Sequence, residues 1–124
     1  MKFKKSVGAG VLVLSATLAG CASTPVPTSE IAVSKTALES AMSAGGAEFA
    51  PVELKTAQDK LARAEKLVAD KDNERYEEAR RLAIEASVDA KAAETRALTA
   101  KSEKSLQESQ EGRRALQEEM QRQQ

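Results

Sequence analysis

Apolar and polar positions alternate along this chain with a period that changes by segment. Basic Lys2, Lys4 and Lys5 come first, followed by a run from Val7 to Ala19 without a charged side chain. That run is about 13 residues, short of the ~20 a bilayer-spanning helix needs. Residues 1–20 are therefore expected to be a removable signal peptide, with a positive start, an apolar middle and small residues at the cut. From Cys21 to Thr28 the chain mixes Pro, Ser and Thr without a period, which predicts an extended tether over residues 21–28.

Helical spacing starts after the tether. Ser29 is placed to cap a first helix, with Glu30 in its first turn and Ile31, Leu38, Ala41 and Met42 at helical intervals. Tandem Gly45-Gly46 ends it, because glycine is costly inside a helix and easy beyond its C-terminus. A second helix opens at Pro51, a residue suited to the first helical position because its missing N–H would go unpaired there. Leu54, Ala57, Leu61, Ala64 and Val68 then alternate three and four apart, a heptad seam that Leu67 widens. Asp70 to Asn73 is polar and turn-prone.

The third helix begins at Asn73 to Arg75 and is long. Tyr76, Ala79, Ala83, Ala86, Ala90 and Ala93, continued by Ala97 and Ala100, repeat the three–four alternation. Leu82, Ile84 and Val88 flank this seam and Ala92 adds to it. Alanine is the best helix former, but its confinement to seam positions argues for packing beyond propensity. Short connections place consecutive helices antiparallel. The fold class is therefore all-α: an antiparallel helical hairpin over residues 29–100 with a coiled-coil-like Ala/Leu seam. Tyr76 caps the mouth of that hairpin. Residues 101–124 are polar, with Ser102, Ser105 and Ser109 where the seam would continue and Gly112 interrupting. They read as a solvated helix fraying toward its end, or as a segment that pairs with a copy of itself or with another envelope protein.

Composition narrows the picture. The 124 residues carry 19 basic and 19 acidic side chains, and removal of the signal leaves an acidic excess of three. No basic face invites nucleic acid. With no histidine, Ser-His-Asp and Cys-His arrangements and His-containing metal sites are excluded. The pairs Glu77-Glu78 and Glu118-Glu119 are helix neighbours pointing in different directions, so they read as solvated surface. Asp70 and Asp72 lack the glycine and closing Glu of a calcium loop. Lys60, Arg63, Arg75, Arg80 and Arg81 are interleaved with acids and look like i,i+4 partners more than an anion patch. No catalytic residue, metal ligand, cofactor or small-molecule substrate is expected, and the chain is read as a non-enzyme.

Two resemblances add to this. Leu18, Ala19, Gly20 and Cys21 resemble the lipobox of bacterial lipoproteins. The likeness implies a diacylglycerol on the Cys21 sulfur, cleavage before Cys21 and acylation of the new amine, so palmitate-type lipid is the only covalent group expected. Ala22 at the next position, rather than Asp, implies export to the outer membrane under the sorting rule of enteric bacteria. The stretch Ala50-Pro51-Val52-Glu53-Leu54, Ala57, Lys60-Leu61, Ala64, Tyr76, Ala79, Leu82-Ala83, Ala86, Asp89-Ala90 and Ala93 resembles domain-of-unknown-function family 4398 over Ile31 to Leu98. Its members are small bacterial envelope proteins, some with an added peptidoglycan-binding domain of the outer-membrane-protein-A type. The residues after Leu98 are too few to hold such a domain, so wall anchoring of that kind is not carried over.

The resulting expectation is a periplasmic, outer-membrane-anchored lipoprotein with a structural or adaptor role, bound to the membrane through lipid and to an envelope protein or itself through helix contacts. Alternatives are an accessory subunit of an envelope complex that binds through the C-terminal helix, and a non-covalent murein-associated tether. The ending Gln123-Gln124 lacks the C-terminal lysine by which the major small lipoprotein of enteric bacteria joins the wall.

Overall fold

A computed structural model describes residues 24–124. The expected signal peptide, the lipobox-like residues Leu18, Ala19 and Gly20, the expected lipidation residue Cys21 and the start of the expected tether lie outside them. The described chain is all-α. Helix α1 spans Thr28–Ser43, the one-turn α2 spans Gly46–Phe49, α3 spans Pro51–Ala69, and α4 spans Tyr76–Arg122 after a 3-10 turn at Asn73–Arg75.

The expected hairpin is present, with a third helix laid alongside it. Arg63 pairs with Glu78, and Glu53 with Arg96, so α3 runs antiparallel to α4. Glu30 pairs with Arg80, and Glu48 with Lys104, so the segment from α1 into α2 advances in the same direction as α4. The result is a three-helix bundle around the first half of α4.

Its core joins unequal sides. Helix α4 contributes Ala79, Ala83, Ala86, Ala90, Ala93 and Ala97, all fully buried, and Tyr76 closes the end nearest the α3–α4 turn. The bulk comes from Leu54, Leu61 and Leu67 of α3 and Leu38 of α1. Small side chains on one helix leave room for large ones on its neighbours, which is how interiors reach crystal-like density. The seam expected on α3 holds through Ala64, but its last position differs. Leu67 is buried and Val68 only half-buried. A straight helix drifts from a strict seven-residue repeat, and α3 ends at Ala69 before the stripe comes round again. On α4, Ile84, Val88 and Ala92 are exposed rather than packed beside the seam. On α1, Met42 is exposed, while Ser34 is fully buried and donates to the Ala83 carbonyl oxygen of α4. A hydroxyl can be buried there because its hydrogen bond is made.

The ends follow local chemistry. Helix α1 starts one residue before Ser29, and the Ser29 hydroxyl donates to Glu30 at 2.7 Å instead of capping the backbone. Pro27, expected within a free tether, is buried against the bundle. Gly45 takes φ +97°, the left-handed turn that stops α1 and that a side chain would strain. Gly46 is constrained differently: a Cβ there would lie 2.7 Å from the Ala41 carbonyl oxygen. Asp72 caps the 3-10 turn by accepting from the Glu74 amide at 3.1 Å.

Helix α4 has 47 residues, about 70 Å, against about 28 Å for the 19 residues of α3. Lys104 contacts Glu48 of α2 and lies 5.7 Å from the Phe49 ring centre. Everything from Lys101 onward is exposed, yet helical to Arg122. The serines do not continue the seam. Lys104, Glu108 and Glu111 occupy its line, whereas Ser102 and Ser109 share the opposite face with Leu98 and Leu106.

Two glycines therefore predict opposite effects. Gly46→Ala should destabilise the bundle by about 1–3 kcal/mol in urea unfolding, since backbone must move to admit the methyl group. Gly112 has open space around its Cα, so Gly112→Ala should strengthen the projecting helix by about 1 kcal/mol. That gain should appear as slower amide exchange over residues 106–120, with the bundle's midpoint unchanged.

Candidate functional site

Among the described residues, ion pairs link the helices and leave an apolar surface uncovered. Arg80, one-quarter exposed, is the most connected cation among the described residues. It donates to Glu30 at 2.9 Å, to Glu77 at 2.6 Å and to the Pro25 carbonyl oxygen at 3.1 Å. Through these contacts α4 holds both the start of α1 and the residues leading into it. Lys60 of α3 bridges Glu85 at 3.0 Å and Asp89 at 2.8 Å on α4. Arg63 and Arg75 converge on Glu78. Spacing suggests i,i+4 partners within one helix, but most of these pairs run between helices; the local ones, Arg75 with Glu78 and Arg80 with Glu77, are three residues apart.

The charges are tuned in the direction their partners dictate. Hydrogen bonds from Arg63 and then Arg75 hold the Glu78 carboxyl below the usual range. The Ser29 hydroxyl, the Glu30 amide and Arg80 do the same for Glu30. Hydrogen bonds to Asp89 and then Glu85 raise Lys60. These groups face water, so the pairs set which residues meet more than they add stability.

Among the described residues, no three His, Cys, Asp or Glu side chains gather to hold a metal ion, and no helix is long and apolar enough to cross a membrane. The seam residues Leu54, Ala57, Leu61 and Ala64 of α3 meet Tyr76, Ala79, Ala83, Ala86, Ala90 and Ala93 of α4 in the bundle interior, with Val68 at its margin. They build the fold and present nothing to a ligand.

What remains open is the side of α4 away from α3. A groove of about 590 Å³ runs between α1 and α4, lined by Val33, Ala37, Ser87, Val88, Lys91 and Glu94 among others. Glu94 turns one carboxylate oxygen out of solvent into this region, with Lys91 Nζ at 3.4 Å. Val33 and Val88 are each about three-fifths exposed. Spacing alone puts Val88 beside the seam and misses the groove, because it does not position α1 against α4.

The architecture is a short three-helix bundle extended by one long helix. The chain belongs to the family described as Domain of unknown function (DUF4398), whose model matches residues 29–109. The match covers the bundle and the first turns of the projecting helix. No curated protein and no solved structure matches the chain.

The tuned pairs predict a pH profile. Glu30 and Glu78 bind protons less tightly folded than unfolded. Their contribution is present above about pH 4.3 and is lost as pH falls through the lowered values. Lys60 is the reverse: its contribution is present below about pH 10.4 and is lost as pH rises through the raised value. The melting temperature should be flat through neutrality and fall at both extremes. Glu78→Gln should make the acid limb shallower, and an acid limb identical to the parent's would show that the pairing does not couple to folding.

Proposed function

We propose that this chain is a lipid-anchored envelope protein with a non-enzymatic, structural or adaptor role, attached through Cys21 to the periplasmic face of the outer membrane. The observation that carries this reading is Leu18-Ala19-Gly20-Cys21, set after three lysines and an apolar run too short to span a bilayer. The absence of a membrane-crossing helix among the described residues is compatible with attachment by lipid. Several acyl chains together hold a protein to a bilayer firmly, where one holds it marginally. Cys21 in this reading is an anchor point, and function lies in contacts made by the helices.

Metabolic labelling with palmitate, followed by membrane fractionation, tests it. The parent chain should be labelled and sediment with outer membranes. Cys21→Ser should be unlabelled and retain the uncleaved signal. An unlabelled but processed Cys21→Ser protein that still sediments with the outer membrane would overturn the assignment.

One observation favours a second reading, an accessory subunit of an envelope complex. Helix α4 continues past the bundle and exposes Leu106, Leu116 and Met120. In-cell crosslinking that captures one dominant, different protein, lost on removing the segment after Lys101, would favour it.

A further inference from the structure

The exposed apolar residues of α4 are not scattered. At about 100° per residue, Ile84, Val88, Leu98, Leu106, Leu116 and Met120 fall within an arc of about 80° on a helix of 47 residues. This arc lies on the opposite side of α4 from the alanine seam and borders the groove against α1. Lys91, Thr95, Ser102, Ser109 and Arg113 complete it.

The order of these side chains is symmetric. Stepping from Ser102 toward the N-terminus gives Leu98, Thr95, Lys91, Val88 and Ile84. Stepping toward the C-terminus gives Leu106, Ser109, Arg113, Leu116 and Met120. Both directions read leucine, hydroxyl, base, apolar, apolar, with the same four–three–four–three–four spacing. A face that reads the same in both directions is what a two-fold axis requires, because an isologous interface must be complementary to itself.

From this symmetry we infer that α4 pairs antiparallel with α4 of a second copy of this chain, about a two-fold axis at Ser102. Ile84 faces the partner's Met120, Val88 faces the partner's Leu116, and Leu98 faces the partner's Leu106. Thr95 meets the partner's Ser109. Lys91 opposes the partner's Arg113, and their long stems lie along apolar surface while their heads reach water. The projecting end of each α4 then enters the groove between α1 and α4 of the other copy, beside Val33 and Ala37. The paired stretch from Ile84 to Met120 is about 55 Å long, longer than α1 or α3. A second copy accounts at once for the groove, the stripe and the length of the projecting helix. The last three positions of the pattern, Arg113, Leu116 and Met120, lie beyond the residues that the family model matches.

The inference does not rest on lipid attachment and is tested apart from it. Light scattering on the full chain in detergent should give the mass of two copies. Leu116→Glu, placed beyond the bundle, should give the mass of one with unchanged helicity. Arg113→Glu sets opposite charges against the partner's Lys91 twice per dimer and should tighten dimerisation severalfold; in a parallel pair it would exchange one like-charge pair for another and bring no such gain. In a Cys21→Ser chain, Thr95→Cys mixed with Ser109→Cys should form a disulfide-linked pair, and neither alone should. A single-copy mass for the parent, a dimer that survives Leu116→Glu, or disulfide pairing of Thr95→Cys with itself would overturn the proposal.

Discussion

The bundle depends on one constraint: α4 buries alanine and nothing larger between Ala79 and Ala97. Two other helices must therefore supply the volume, and they do so with few side chains, chiefly Leu38, Leu54, Leu61 and Leu67. Each fully buried leucine contributes roughly 1.5–3 kcal/mol of transfer free energy, whereas alanine contributes little. Loss of a leucine cannot be absorbed by neighbours that are already methyl groups. The core is thin, and close helix approach takes the place of thickness.

Such a core specifies helix contact but only weakly specifies register, because one alanine resembles the next. The polar contacts between helices supply what the methyl groups cannot. Ser34 against the Ala83 carbonyl oxygen, Lys60 between Glu85 and Asp89, and Arg80 against Glu30 and Pro25 each fix a different level of the bundle. Exposed pairs contribute little energy singly. Their effect is to make a slipped alignment worse than the native one, since slipping would part Lys60 from Glu85 and Asp89 and Arg80 from Glu30.

Much of this could be read from sequence, and the exceptions have physical causes. Leu54, Ala57, Leu61 and Ala64, and the alanines of α4, announced themselves by spacing. Val68 did not hold its place because α3 follows straight-helix geometry and ends a residue later. Helix α1 was legible as a helix, but its full share in the bundle was not. A serine in the middle of its buried face breaks the apolar pattern, and only the carbonyl it meets on α4 explains it. The one-turn α2 at Gly46–Phe49 is fixed by close packing on Ala41, which local propensity does not encode. The apolar stripe of α4 was hidden for a related reason. Ile84 and Val88 lie near the seam in sequence, and only the positions of α1 and α3 show which face is left uncovered.

The direction of α1 carries one more consequence. Because α1 and α4 advance together, Thr24 lies at the Arg80 end of the molecule and Arg122 at the other. The intervening stretch of α4 is about 60 Å of continuous helix. The described residues thus form a strut whose two ends, Thr24 and Gln124, are held apart. A label at the C-terminus reports on surroundings remote from Thr24, and shortening α4 by one turn moves that point inward by about 5 Å without disturbing the bundle.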